Sequence, residues 1–331
     1  MIRHATTRRP GTSLMEVLVG FGILGIAVTS VITLFPFSAL TIGQALRDDR
    51  TTTCAVMADG EFRDVHRRFV VDPGDDKTTE YYHRVMDNPA LTGAAGLAKL
   101  PAVPADSTEP SYAVFVDPMG IAAGRGPVGD GGQTLIPRTS LQLVGGNDQM
   151  ALRYCTLLDS LSFDEDGKVQ QSYDMRELRY NWAWMLQRPV NRDRYNVRLQ
   201  VVVFSNRAHK YKPPLSEAVY QATFTPGETA IRGVPGTAEI RKGSWVLDAT
   251  VSSDANGLLR QGEWYRVVSV TDGANGTYSL EVHKPVARVG FTVNPANTGA
   301  GAYTGTLVSM PGVAEVFDRD PLTGSTTNVG Q

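Results

Sequence analysis

The chain has 331 residues, of which 42% are hydrophobic and 20% charged, with a formal net charge of −2. That length exceeds one average domain, and the apolar share is ordinary for a globular protein, which argues against disorder throughout. The near-neutral, slightly acidic balance argues against nucleic acid as the main partner. Two cysteines, Cys54 and Cys155, are too few for a disulfide scaffold.

The N-terminus carries a short basic head, Arg3, Arg8 and Arg9, followed by Pro10, Gly11, Thr12, Ser13, Leu14, Met15 and Glu16. Residues 17–35 contain no charge. As a helix rising about 1.5 Å per residue, such a run crosses a hydrocarbon core about 30 Å thick. Glu16 is the one charge in its apolar neighbourhood. A charge at the centre of a membrane helix costs roughly 2.5–3.5 kcal/mol, and less near an end, so an unpaired carboxylate here needs a reason. An ordinary secretory signal or plain anchor is one reading, but Phe37, Ser38, Ala39 and Leu40 supply the small-residue cleavage pattern poorly. The other reading puts the cut before the apolar run, at Gly11, which makes Glu16 the fifth residue of the mature chain.

These residues resemble the type IV pilin family, which includes the pseudopilins of type II secretion. Its leader is short, basic and ends in Gly, and its mature chain opens with an apolar helix carrying Glu at the fifth place. The likeness covers roughly the first sixty residues and departs at Thr12, where the family usually has Phe or Met. It implies a prepilin peptidase that cuts between Gly11 and Thr12, and N-methylation of Thr12. It also implies that Glu16 meets the α-amine of a neighbouring subunit in a filament. The partners it implies are other pilins or pseudopilins and an inner-membrane assembly platform. Basic residues stay cytoplasmic, so the chain is expected to be single-pass in the inner membrane, with its C-terminal domains periplasmic or extracellular. Losing Arg3, Arg8 and Arg9 with the leader takes the formal net charge from −2 to −5.

Further along, helix is expected to continue past the membrane, kinked at Pro36. Ala55, Ala58, Phe62, Val65 and Phe69 recur at three- and four-residue steps, a stripe suited to packing on a sheet. Arg67 and Arg68 suit the last turn, and Asp72, Pro73 and Gly74 then stop it. Residues 72–110 read as loop. Short strands are expected at 112–116, 141–144 and 150–158, then a hairpin turn at Asp164, Glu165, Asp166 and Gly167. Residues 179–186 and 195–204 read as a stronger antiparallel hairpin. One of its faces carries Tyr180, Trp182 and Trp184 opposite Val197, Leu199, Val201 and Val203. Residues 218–224 add an edge. Gly227, Gly233, Pro235 and Gly236 read as a linker, followed by strands at 244–251, 263–270, 278–282, 305–309 and 313–317. The expected organisation is leader 1–11, helix 12–72, pilin-like sheet head 73–226, small all-β domain 236–320 and flexible tail 321–331. The fold class is α+β: a long N-terminal helix on an antiparallel sheet, followed by a small barrel or sandwich.

Signs of catalytic chemistry are few. Gly124, Gly126 and Gly129 match G-x-G-x-x-G in letters, but Pro127 does not open a helix, so they read as loop. His66, His83, His209 and His283 show no metal-ligand spacing, and no nucleophile elbow or P-loop occurs. Asp159, Asp164 and Asp166 are weak Ca²⁺ candidates without the twelve-residue loop pattern, and some pseudopilins bind that ion. No other cofactor is implied. Asn275-Gly276-Thr277 reads as a hairpin turn before a glycosylation site. Trp182, Trp184, Trp245 and Trp264 read as strand residues before a carbohydrate platform. Cys54 and Cys155 read as two buried thiols before a disulfide. The expectation is a minor pilin-like assembly subunit, not an enzyme. The alternative is a membrane-tethered periplasmic glycan-binding protein or hydrolase using the C-terminal β-domain, which carboxylates clustered in a cleft there would favour.

Overall fold

A computed structural model describes residues 13–70, 79–94, 97–104, 106–128, 136–141, 153–157, 163, 165–168, 180–193, 196–207, 217–254, 257–287 and 301–322. Helix α1 (Leu14–Val70) runs for 57 residues and through Pro36. Ser13 starts it, its hydroxyl accepting the Glu16 N–H at 3.3 Å, and this side-chain cap satisfies one of the free amides of the first turn. The few hydroxyls in the apolar run bond back to helix carbonyls: Thr29 to Gly25 and Ser30 to Ile26, each at 2.8 Å. Polar groups satisfied inside the helix suit an environment without water.

The chain divides into two units, 1–50 and 51–331. In the first, every described residue of α1 is exposed, from Leu14 to Arg50. Among the described residues this is one helix long and apolar enough to cross a membrane, with a mean hydropathy of 2.4 over its best 18-residue window.

In the second unit α1 changes character. Cys54, Ala55, Ala58 and Phe62 are buried, as the stripe requires, and Val65 is half-buried. They pack on a five-stranded sheet built from β1 (Val114–Val116), β2 (Arg138–Thr139), β3 (Tyr180–Gln187), β4 (Val197–Ser205) and β13 (Val313–Leu322). The order is β13-β4-β3-β1-β2. Strands β3 and β4 form the expected antiparallel pair, with Trp182 opposite Val203 and Trp184 opposite Val201. The rings of Phe62 and Trp184 lie 5.4 Å apart, and Trp184 Nε1 donates to the Ala58 carbonyl at 2.8 Å.

Beyond β4 comes a closed six-stranded barrel: β5 (Ala218–Phe224), β6 (Ala230–Pro235), β7 (Trp245–Asp248), β10 (Glu263–Asp272), β11 (Thr277–Val282) and β12 (Tyr303–Ser309), in the order β10-β11-β6-β5-β12-β7. A two-stranded hairpin, β8 (Val251–Asp254) and β9 (Gly257–Arg260), rises between β7 and β10. The barrel interior is filled by Phe224, Ile231, Val246, Tyr265, Leu280 and Leu307 among others. Trp245, Leu247, Trp264 and Val308 share a different core with Ala183, Met185, Val202 and Phe204. The sheet is therefore buried on both faces, by α1 and by the barrel, and every residue of β3 is buried.

Several expectations need correction. Residues 218–224 form a barrel strand and not an edge of the sheet, and the glycines read as a linker lie within or beside β6. The boundary expected between 226 and 236 falls inside the barrel. The strand expected at 313–317 extends to Leu322 and leaves the barrel to pair with β4, so residues 321 and 322 are strand where tail was expected. A split at 236 failed because glycine and proline also serve tight barrel corners: Gly227 and Gly233 have φ of 87° and 74°. The region read as loop holds helix α2 (Thr79–Asp87) and a 3₁₀ turn. The strand at 112–116 shortens to Val114–Val116, and β2 joins it in parallel, so the sheet is mixed. Residues 153 and 154 are helical, and Thr156 makes an isolated bridge to Asn181 where a strand was expected. The expected helix stop at Asp72, Pro73 and Gly74 lies outside the described residues, as does residues 142–144 of the expected strand at 141–144.

Candidate functional site

Gly11 and Thr12, the expected cleavage and methylation positions, lie outside the described residues. Glu16 is exposed in the first turn of α1. Its spacing from Ser13 is that of a capping box, and a carboxylate there complements the positive end of the helix dipole. The dipole effect acts within one chain, so it gives Glu16 a local stabilising role whether or not a neighbour supplies an amine.

The compact unit holds three polar clusters that the sequence did not announce. The first surrounds Asp117, which follows β1 and caps the short helix α3 (Pro118–Ala122) through Gly120 N–H at 2.8 Å. Arg207, at the end of β4, grips its two oxygens with bonds of 2.7 and 2.6 Å. Arg138 of β2 bonds Asp117 and Glu217, and Arg125 pairs with Glu217 at 3.2 Å. Burial alone would push the Asp117 carboxyl up, but the Arg207 and Arg138 charges and the Gly120 amide outweigh it and hold it well below the usual carboxylate range. Arg207 also stacks on Phe204 at 4.0 Å. This cluster pins the chain where it passes from the sheet into the barrel.

The second cluster ties sheet to barrel. Arg198 of β4 bonds Glu263 of β10 and Asp318 of β13, the latter at 2.8 Å, while Lys284 reaches Glu263 from the far side. Gln200 adds a bond to Asp318 at 2.7 Å. Cations and carboxylates balance here, as in a structural network.

The third cluster is different in kind. Asp248, at the end of β7, is fully buried and has no cationic partner among the described residues. It accepts bonds from the Thr250 N–H at 3.1 Å, from the Thr250 hydroxyl, and from the Tyr303 hydroxyl at 2.6 Å. Burial pushes its carboxyl up to about 6, against the lowering effect of those bonds. Glu263 is its direct cross-strand partner on β10. A buried carboxyl with a raised pKa beside a cation-held one is an arrangement that acid–base chemistry uses. Here both residues are buried, Asp248 at 0% and Glu263 at 3% exposure, and an acid or base acting on substrate must reach it.

The remaining candidates resolve individually. Asp166 is exposed and pairs with Lys168 at 3.5 Å, while Asp159 and Asp164 lie outside the described residues. No group of three or more His, Cys, Asp or Glu that could hold a metal occurs among the described residues. Cys54 and Cys155 are buried thiols that share no disulfide, and burial raises the Cys155 pKa well above its ordinary value. Trp182, Trp184 and Trp264 are fully buried and Trp245 nearly so, which removes them as a surface platform. Asn275 adopts φ 58° in the turn between β10 and β11. Asp117 and Asp248 went unnoticed because each stands alone in sequence. The available signal was an aspartate ending an apolar strand run, in Val116-Asp117-Pro118 and Leu247-Asp248.

No protein-family model matches the chain, and no curated protein sequence matches it. Among solved structures, the Phage phi92 endosialidase aligns at 11% identity over 42% of this chain and 18% of that one, with a TM-score of 0.18. A TM-score that low carries no argument about fold or function.

Proposed function

We propose that the chain is a minor pilin-like subunit, a pseudopilin or minor pilin, of a type II secretion or type IV pilus-like filament. In this reading a prepilin peptidase cuts between Gly11 and Thr12, the new α-amine of Thr12 is a methylation target, and the subunit assembles through α1. The observation that supports it is the division of α1. One uninterrupted helix is apolar and exposed from Leu14 into its forties, then turns a buried stripe of Cys54, Ala55, Ala58 and Phe62 to a β-sheet. A passive anchor needs the first half only; a helix that also forms part of the head's core couples the head to whatever the helix packs against.

Glu16 supplies the second part of the reading. In an apolar bundle its carboxylate would meet a neighbour's Thr12 amine, and burial of either charge without the other is costly. The head and barrel then lie outside the inner membrane, periplasmic or extracellular, and no catalytic step is assigned to them.

The experiment is co-expression of the full chain with a prepilin peptidase, followed by intact-mass and N-terminal analysis of membrane fractions. The expected mature chain begins at Thr12, and Gly11→Val leaves the leader attached because a β-branched side chain replaces hydrogen at the cut. A mature chain beginning elsewhere, or a Gly11→Val chain cut normally, overturns the proposal.

A further inference from the structure

Three guanidinium groups converge on one carboxylate oxygen at the start of β5. Arg125 pairs with Glu217 Oε1 at 3.2 Å, Arg138 bonds the same oxygen, and Arg207 stands 4.0 Å from it. The three come from different segments. Gly124, with φ of 74°, turns the chain after α3, and the Arg125 N–H then donates to the Gly120 carbonyl at 2.9 Å. Arg138 lies in β2, and Arg207 follows β4. Arg138 sits over the Phe115 ring at 5.3 Å and Arg207 over the Phe204 ring at 4.0 Å. Stacking on a ring holds the plane of a guanidinium and so fixes the direction of its donors.

The two carboxylates of this cluster hold different places in it. Asp117 is fully buried, takes both arms of Arg207 and one of Arg138, and caps α3. Glu217 has no such second duty. Its side chain keeps 13% exposure, against 5%, 0% and 3% for Arg125, Arg138 and Arg207, so it is the member nearest to water. It also serves the arginines incompletely, through one oxygen. Arg138 and Arg207 each keep a buried Nε without a hydrogen-bond partner among the described residues, and a buried donor left over asks for an explanation. Burial and the like charges of Arg207 and Arg138 lower the Arg125 pKa against the pull of Glu217. A tetrahedral oxyanion suits such a place better than a carboxylate does. It offers more oxygens to converging donors, and its two charges together with that of Asp117 match three arginines.

We propose that Arg125, Arg138 and Arg207 form a binding site for a tetrahedral oxyanion, a phosphate or sulfate group, which Glu217 covers in the free protein and leaves when the anion enters. The exchange conserves the arrangement of the arginines: Asp117 keeps Arg207 and Arg138 in place, and the incoming group takes the donors that Glu217 gives up. Arg125 is the member that belongs to the anion alone, because its carboxylate partner here is Glu217, whereas Arg138 and Arg207 are also held by Asp117. The site lies wholly within residues 51–331 and stands apart from the pilin-like reading, which rests on α1.

The experiment is a set of thermal melts of the full chain in detergent with phosphate, sulfate or acetate added at matched ionic strength, together with calorimetric titration of phosphate. Phosphate and sulfate are expected to raise the melting temperature of the wild type, and acetate to leave it unchanged, since an anion that binds only the folded state stabilises it by mass action. Glu217→Gln keeps the shape of the side chain without its charge. It is expected to melt lower than wild type in the absence of phosphate and to bind phosphate about ten- to a hundredfold more tightly, the range set by removing one competing charged hydrogen bond. Adding Arg125→Gln to that variant is expected to remove the gain. Glu217→Asp draws the carboxylate back from the arginines and is expected to show the same gain in smaller measure, which keeps the test open if Glu217→Gln does not fold. A purely structural Glu217 gives a lower melting temperature and no gain in phosphate affinity. Wild-type protein that responds alike to all three anions, or Glu217 variants that bind phosphate no more tightly than wild type, overturn the site.

Discussion

Asp117 shows how much one residue can hold when its partners come from four separate segments. It caps α3, receives Arg207 from the end of β4 and Arg138 from β2, and through Arg138 is linked to Glu217 at the entry to β5. Gly120 is tied to the same point, since any Cβ there would collide with the carboxylate. Removing one member of a buried ion pair typically costs about 3–5 kcal/mol, because the others keep their charge and lose its partner. Asp117→Ala is therefore expected to lower the stability of residues 51–331 by about that amount at pH 7, measured by urea unfolding. The folded pKa of Asp117 is depressed, so its stabilisation is complete above the ordinary value of 3.8 and is lost as pH falls below it. The stability gap between wild type and Asp117→Ala is expected to narrow only below about pH 4. A gap already closed at pH 5 would mean that the carboxylate is not held by its arginines.

Helix α1 serves two environments with one backbone, and the change falls near residue 50. Before that point its side chains are exposed and, over residues 17–46, uncharged; after it, one stripe is buried and the opposite face carries charge, such as the Arg63–Asp59 pair at 2.9 Å. The two halves should therefore respond separately to mutation. Phe62 is 1% exposed and packs on Trp184 and Tyr82, so Phe62→Ala is expected to cost about 3–5 kcal/mol in unfolding of the compact unit. It should leave the protein in the membrane fraction, because the apolar run lies elsewhere in the helix. Release of Phe62→Ala into the soluble fraction would show that the packed half, and not the apolar half, holds the protein on the membrane.

At the scale of the whole molecule, the barrel is an insertion between two neighbouring strands of one sheet. The chain leaves β4 at Ser205, builds the barrel, and returns through Met310, Pro311 and Gly312 to lay β13 against β4. Gly312 makes the return possible: its φ is 86°, its carbonyl accepts the Ser205 N–H at 2.7 Å, and a Cβ would press on the Ser205 carbonyl. A fragment covering 236–320 lacks β5 and β6 and carries β13 without its partner, so it is expected to stay unfolded. Truncation after Ser309 is expected to abolish the cooperative thermal transition of the head as well, because β4 loses a neighbour along nearly its whole length. Circular dichroism melts of both shortened chains test this, and a cooperative transition in the 236–320 fragment would contradict the topology.

Local patterns in the sequence determined the parts of this protein whose cause is local. An uncharged run of helix length, an apolar stripe at three- and four-residue steps, and alternating Tyr180, Trp182 and Trp184 opposite alternating valines each fix an element and the face it buries. The same patterns could not tell a linker glycine from a barrel-corner glycine, since both relieve the same backbone restriction. Nor could they show that β3 is buried on its second face, because Ala183 and Met185 find their neighbours in Trp245 and Trp264 some sixty to eighty residues later. Strand pairing is a long-range choice, made by which faces must be covered, and it alone sent β13 back to the sheet. The polar clusters belong to the same class. Asp117 and Asp248 are both single aspartates ending apolar runs, and only the tertiary structure gave one of them two arginine partners, Arg207 and Arg138, and the other no cation among the described residues.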